Sequence, residues 1–234
     1  MRILRPGNRI LTIGNPGLSV ISPRGGAAIP WYLSGGVDAA NCVAAYQPIG
    51  AADYAASKVN LANSGTYDAA AGNDPDWDDT NGWKFNGIDN YLDCTYLYSA
   101  VSGACVIVRF TDAGYVGIQT GTIIGAVNGA DLFVGANTQY GVRACFFGSY
   151  VNILPSMTSG VIALTDGKFY RDGSYSHDVA AGGTLSSSRS LKIGAGWFSF
   201  GWHYTPVYVQ AAAAYDSNLT ADQVAAITTA MAAL

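Results

Sequence analysis

Between Trp83 and Tyr215 the chain is a succession of short apolar runs, each stopped by glycine, asparagine, aspartate or proline before reaching helical length. GACVIVRFTD, GTIIGAV, DLFVGAN, GVRACFFG and VNILP follow one another at the spacing of strands in a sandwich. GACVIVRFTD is apolar throughout, as a strand buried on both faces requires. GVIALTDGKFYRDGSYS carries two hairpin signals, Asp166-Gly167 and Asp172-Gly173, and SLKIGAG and PVYVQAAAAY complete about ten strands. WKFNGIDNYLDC alternates with a period of two on either side of an Asn86-Gly87 turn. A chain of 234 residues suits one large sandwich. The fold expected is all-β: a two-sheet antiparallel jelly-roll sandwich over residues 31–234, with a short C-terminal helix and an extended N-terminal arm over residues 1–30.

The flanks read differently. In the arm, Pro6, Pro16, Pro23 and Pro30 break up the short runs ILTI and LSVI, and Trp31-Tyr32-Leu33 anchors the start of the body. Residues 38–62 are Ala-rich, with Tyr54, Lys58 and Leu61 at helical spacing, enough for a turn or two of helix. Residues 63–82 read as a long polar loop. At the other end Thr220 and Gln223 form a capping box, and Val224, Ile227 and Met231, with Leu234, share one face of the helix that follows.

Charge sets the arm apart. Residues 1–37 carry Arg2, Arg5, Arg9 and Arg24 and no acid, whereas the whole chain has net charge −4. A basic leader on an acidic body is unlike a nucleic-acid binder, whose cations cluster on the folded surface. It suits an arm lying on an acidic neighbour, such as another copy of the chain. No segment has a signal-peptide core or membrane-spanning length, so assembly in a cytoplasm, with no membrane partner, is the expectation.

Several chemistries are absent from the residue inventory. All 16 acids are aspartate. Cys42, Cys94, Cys105 and Cys145 lie far apart without CxxC spacing, and buried free thiols are a plainer reading than two disulfides. His177 and His203 share no ligand spacing, and no nucleophile elbow, P-loop or dinucleotide turn is present. Asn218-Leu219-Thr220 has the form of a glycosylation sequon, but capping at the helix start explains it better.

Two local patterns are candidate sites. Asp74, Asp76 and Asp78 alternate like the opening ligands of a Ca²⁺ loop, yet the downstream bidentate glutamate and the turn glycine are missing, and a solvated acidic turn accounts for them as well. No other cofactor is indicated. Trp197, Trp202 and Tyr204, within the aromatic run WFSFGWHY, suit stacking on the apolar faces of sugar rings; the competing reading is core and subunit contact.

The stretch Ala44–Gly50, the loop into Gly82–Gly87, and Tyr91-Leu92 resemble laminin-G-like members of the concanavalin A-like lectin/glucanase fold. So do the hairpin Gly167–Gly173 and the ending of residues 214–224. The resemblance spans about residues 40–234 and implies a jelly roll. The enzymes of that fold cleave glucans with paired glutamates, which this chain lacks, so a non-enzyme is expected. Such domains, with a separate N-terminal segment, are similar to structural proteins of tailed bacteriophages. The expected role is therefore a virion protein, as capsid decoration, head fibre or tail fibre. It would contact other virion proteins through the arm, form a homo-oligomer and recognise surface glycan. The alternatives are a free carbohydrate-binding module or lectin, and a polysaccharide-cleaving enzyme.

Overall fold

Strand pairing sorts the apolar runs into two stacked antiparallel sheets. The computed structural model describes residues 28–98, 103–114, 121–126, 132–137, 141–146, 149–179, 189–198 and 201–234; Arg2, Arg5, Arg9 and Arg24 of the arm lie outside them. The first strands are β1 (Cys42–Tyr46), β2 (Ala70–Asn73), β3 (Asp76–Asp78), β4 (Gly82–Asn86), β5 (Tyr91–Asp93) and β6 (Cys105–Thr111). Then come β7 (Gly121–Ala126), β8 (Leu132–Asn137), β9 (Gly141–Phe146), β10 (Ser149–Ile153), β11 (Gly160–Thr165) and β12 (Lys168–Arg171). The last are β13 (Ser174–Asp178), β14 (Lys192–Ile193), β15 (Ala195–Phe198), β16 (Gly201–Tyr204) and β17 (Pro206–Tyr215). The first sheet has the order β13-β12-β11-β6-β17-β4-β3, with β1 also on β17; the second has the order β10-β9-β8-β7-β14-β5-β2. Strands β15 and β16 form a separate hairpin.

Strand β6 shows why its sequence is apolar throughout. Val106, Val108 and Phe110 face the second sheet, in a core with Tyr46, Trp83, Leu92, Ile124 and Val134. Cys105 and Ile107 point the other way, into a second core on the outer face of the first sheet. That outer core is closed by helix α2 (Ala221–Ala232) through Val224, Ile227 and Met231, and by Trp31 and Leu219. Strand β17 serves both cores, and a bulge at Gln210 resets its alternation. Val207 and Val209 face inward before it; after it Ala212 and Ala214 face inward and Ala211, Ala213 and Tyr215 outward.

The two Asp-Gly signals form the expected hairpins. Asp166 and Gly167 (φ 49° and 66°) and Asp172 and Gly173 (φ 46° and 80°) both have the paired positive φ of a tight right-twisted connection. The capping box at Thr220 is complete, with Thr220 Oγ1 accepting from Gln223 N and Gln223 Oε1 accepting from Thr220 N. Asn218 sits just before it, accepting from Ala104 N at 3.1 Å and donating to Asp166 at 3.2 Å.

Three expectations need correction, and that of a helical turn in the Ala-rich segment is met in part. The Asn86-Gly87 turn is no hairpin: β4 belongs to the first sheet and β5 to the second, so the chain crosses between sheets here. Asn86 Oδ1 accepts from the amides of Ile88, Asp89 and Asn90, which bends the chain out of the first sheet. Residues 63–82 are not all loop, because β2 and β3 lie there as short edge strands, exposed enough to be polar. The Ala-rich segment holds one helical turn, α1 (Tyr54–Ser57), and also β1, whose alanines lie buried where β17 crosses them. Leu234 stays exposed; Thr228 takes the fourth buried place on α2.

Candidate functional site: an aromatic platform on the second sheet

Register identifies the outward residues of the second sheet. Leu92 and Ile193 belong to the inter-sheet core, so their neighbours Tyr91, Asp93 and Lys192 point to the opposite face. Lys192 is paired in register with Asp93 on one side and Gly125 on the other; Gly125 leads to Phe133, Phe133 to Cys145 and Cys145 to Tyr150. This row crosses the sheet on its outer side.

The hairpin β15–β16 stands over one end of that face. Its cross-strand pair Trp197 and Trp202 meets edge to face at 5.3 Å. Trp202 also stacks on Tyr91 at 4.8 Å and on Tyr204 at 6.0 Å, with 24° between planes in both cases. All four rings are half-buried, so each keeps part of its surface in water. Gly72 makes room beneath the stack: a Cβ there would collide with the Tyr91 ring.

Charge lies under and beside these rings. Lys192 Nζ is 5.6 Å from the centre of Tyr91 and 5.8 Å from that of Trp202, while its side chain is only 8% exposed. It donates to Asp93 Oδ2 at 2.7 Å and to Ser190 Oγ at 2.9 Å, and these bonds offset the cost of burying an ammonium. Burial pushes the Asp93 carboxyl up, but the bonds from Lys192 and Ser190 and from the Thr95 amide outweigh it and hold the group below the usual carboxylate range. Burial, with Tyr91 and Asp89 nearby, raises Tyr204, keeping its hydroxyl protonated at neutral pH. Arg189 lies 5.0 Å over Trp197.

The site therefore presents flat, partly wet rings beside fixed polar atoms, an arrangement that suits a sugar's apolar C–H face and its hydroxyls. The structure places Trp197, Trp202 and Tyr204 in one ring cluster and adds Tyr91, Asp93, Arg189 and Lys192 beside it. Lys192 carried a signal: a lysine inside the apolar run SLKIGAG has to face a partner or a site.

The acidic loop does not converge. Tyr54 donates to Asp74 at 2.6 Å, with Lys58 at 3.8 Å. Asp76 lies opposite Lys84 in register. Asp78 caps its own turn, accepting from Thr80 N, Asn81 N and Asn81 Nδ2, and these bonds hold its carboxyl below the usual carboxylate range. Among the described residues no three His, Cys or Asp side chains gather as a metal-holding group. His177 pairs with Ser176 at 2.7 Å. Cys42, Cys94, Cys105 and Cys145 are buried, and none is joined in a disulfide. Among the described residues no helix is long and apolar enough to cross a membrane.

The chain matches no protein-family model and no curated protein. Among solved structures it is similar to a mutant Trypanosoma rangeli sialidase displaying trans-sialidase activity, with TM-score 0.58 and 17% identity over 82% of this chain and 33% of that one. It is also similar to the receptor-binding domain of botulinum neurotoxin D, with TM-score 0.57 and 11% identity over 82% of this chain and 53% of that one. A third is a botulinum neurotoxin type C structure, whose cell entry depends on interaction with two ganglioside molecules; its TM-score is 0.56 at 11% identity, over 82% of this chain and 52% of that one. The chain thus spans a third of the sialidase and about half of each toxin chain, and at these identities the likeness is one of fold: stacked antiparallel β-sheets.

Proposed function

We propose that this chain is a non-enzymatic carbohydrate-recognition module of the laminin-G-like kind, carried on a virion as a decoration or fibre protein and assembled in the host cytoplasm. The observation that carries the recognition reading is the half-exposed stack Tyr91–Trp202–Tyr204, fixed by Lys192 and Asp93 on the outer face of the second sheet. Sugar rings are bound by such faces without any acid–base chemistry. Two structural neighbours add support: a Trypanosoma rangeli sialidase in complex with sialic acid, and a botulinum neurotoxin whose cell entry depends on gangliosides. Non-catalysis is supported by the lack of any glutamate and by the ion pair that engages Asp93, the carboxylate beside the stack. The virion role is supported by the acid-free arm with Arg2, Arg5, Arg9 and Arg24, suited to docking on other virion proteins.

The test of recognition is a glycan array probed with the full chain, including sialic acid and ganglioside oligosaccharides. Binding to at least one glycan, lost in Trp202→Ala, is expected. Binding unchanged by that substitution, or none, overturns the reading; release of reducing sugar by the wild type overturns its non-enzymatic part. For the virion role, the chain is sought by mass spectrometry in purified particles, where deleting residues 1–30 should abolish incorporation.

A further inference from the structure

The outer strands of the two main sheets are not protected alike. A strand at a sheet edge leaves a row of backbone amides and carbonyls unpaired, and chains that stay apart blunt such edges with charge, bulges or cover. Strand β3 carries Asp76 and Asp78. Strand β13 ends in Asp178, and its register with β12 is broken by a bulge between Phe169 and Tyr170. Strand β2 is four residues long and bulged between Ala71 and Asn73. The free side of β1 is closed by Asn60, whose side chain accepts from Ala45 N and donates to Val43 O.

Strand β10 has none of these devices. Ser149–Ile153 contains no charge, proline or glycine, and it pairs with β9 residue for residue without a bulge. Among the described residues it has a neighbouring strand on one side only. Val151 and Ile153 pack into the inter-sheet core, so Tyr150 and Asn152 stand on the outer face. Tyr150 is 64% exposed, and Leu154 just beyond the strand is 65% exposed. Arg143 of β9 steadies the pair: its Nε donates to Asn152 Oδ1 at 2.8 Å, and its guanidinium lies 5.0 Å over the Tyr150 ring.

We infer that β10 is the pairing edge for a second copy of this chain, joined antiparallel about a twofold axis at Val151. In that register Tyr150 of each copy lies opposite Asn152 of the other, so an amide that donates meets a phenol that accepts, twice. Self-pairing of β10 brings no like charges together, whereas the same operation on β3 would set Asp76 against Asp78. The axis stands perpendicular to the sheet and keeps both outer faces on one side. On the recognition reading proposed above, the dimer then shows two aromatic platforms on one face. Five strand steps separate β10 from β5 in each copy, which sets the platforms about 50 Å apart along the sheet. Such a pair suits a surface that repeats one glycan.

The experiment is sedimentation equilibrium of the full chain from about 1 µM to 1 mM, because one strand pair buries less than a standard interface and gives a weak dimer. A monomer–dimer equilibrium is expected, with amide hydrogen exchange of Ser149–Ile153 slowing as the concentration rises. Tyr150→Lys puts two added charges about 7–8 Å apart across the axis and should weaken dimerisation about tenfold or more. Tyr175→Lys, at the exposed tyrosine of the β13 edge, should leave it unchanged. Should Tyr150→Lys not fold, the concentration dependence of wild-type exchange decides. A monomer throughout, a dimer indifferent to Tyr150→Lys, or β10 amides that exchange alike in monomer and dimer overturns the assignment. No glycan enters these measurements, so their failure leaves the recognition reading to its own test.

Discussion

Lys192 reaches Asp93 at 2.7 Å directly beneath the faces of Tyr91 and Trp202, so one ion pair holds the floor of the whole aromatic platform. Asp93→Asn would leave a nearly buried ammonium without its countercharge. A loss of about 2–3 kcal/mol is expected, below the range for fully buried pairs because Asp93 is part exposed. The pH dependence has a definite sign. The folded-state carboxyl is held below its usual range, so its contribution is complete above about pH 4. It then fades as the pH falls through the lowered value. Denaturant melts of wild type and Asp93→Asn should differ by a constant amount from pH 5 to 8 and converge in acid; a constant gap down to pH 2 would contradict the pairing.

The sequence displayed the sandwich but not all of its parts, for reasons visible at single residues. The run GACVIVRFTD was readable because both its faces are covered, one by the second sheet and one by α2. Strand β1 was hidden because Val43-Ala44-Ala45 carries no bulk to mark a period, although Ala44 and Ala45 are wholly buried. Asn86-Gly87 looks like a hairpin wherever it occurs, and only the pairing of β4 with β17 shows that the chain leaves the sheet there. The platform was marked by one polar residue inside an apolar run, Lys192 in SLKIGAG. Its partner Asp93 comes from another strand of the sheet, which no local pattern reveals.

The thiols should be inert while the chain is folded. Burial pushes Cys42 and Cys94 up to about 12, and raises Cys105 as well. Cys42 and Cys105 also lie on either side of Tyr215 in the first sheet, a full strand apart, too far for a disulfide. At pH 8 a thiol reagent should modify all four cysteines quickly in denaturant and almost none without it. Rapid modification of the folded chain at Cys42 or Cys94 would show that these positions open.

Helix α2 should be essential to the first sheet. Ile227 is fully buried against the outer core, and truncation to alanine opens a cavity there. Ile227→Ala should cost about 2–5 kcal/mol, and Thr220→Ala, which removes only a cap, about 1 kcal/mol. Urea midpoints of the two variants rank these costs. An Ile227→Ala effect no larger than that of the cap would mean α2 is only lightly docked.

Gly72 allows the platform to be tested without removing any of its groups. It lies in an edge strand with ordinary extended backbone, so alanine is acceptable to the chain itself, but a Cβ would strike the ring of Tyr91. The ring must then tilt away, and Trp202, stacked on it at 4.8 Å, loses its support while every aromatic side chain is still present. If flat, aligned rings are what a sugar recognises, Gly72→Ala should weaken glycan affinity at least tenfold, about 1.4 kcal/mol. The near-ultraviolet circular dichroism of the coupled rings should change with it, and the global melting temperature should fall little, because β2 is exposed. Unchanged affinity with an altered aromatic spectrum would separate the stack from recognition and return Tyr91, Trp202 and Tyr204 to a purely structural role.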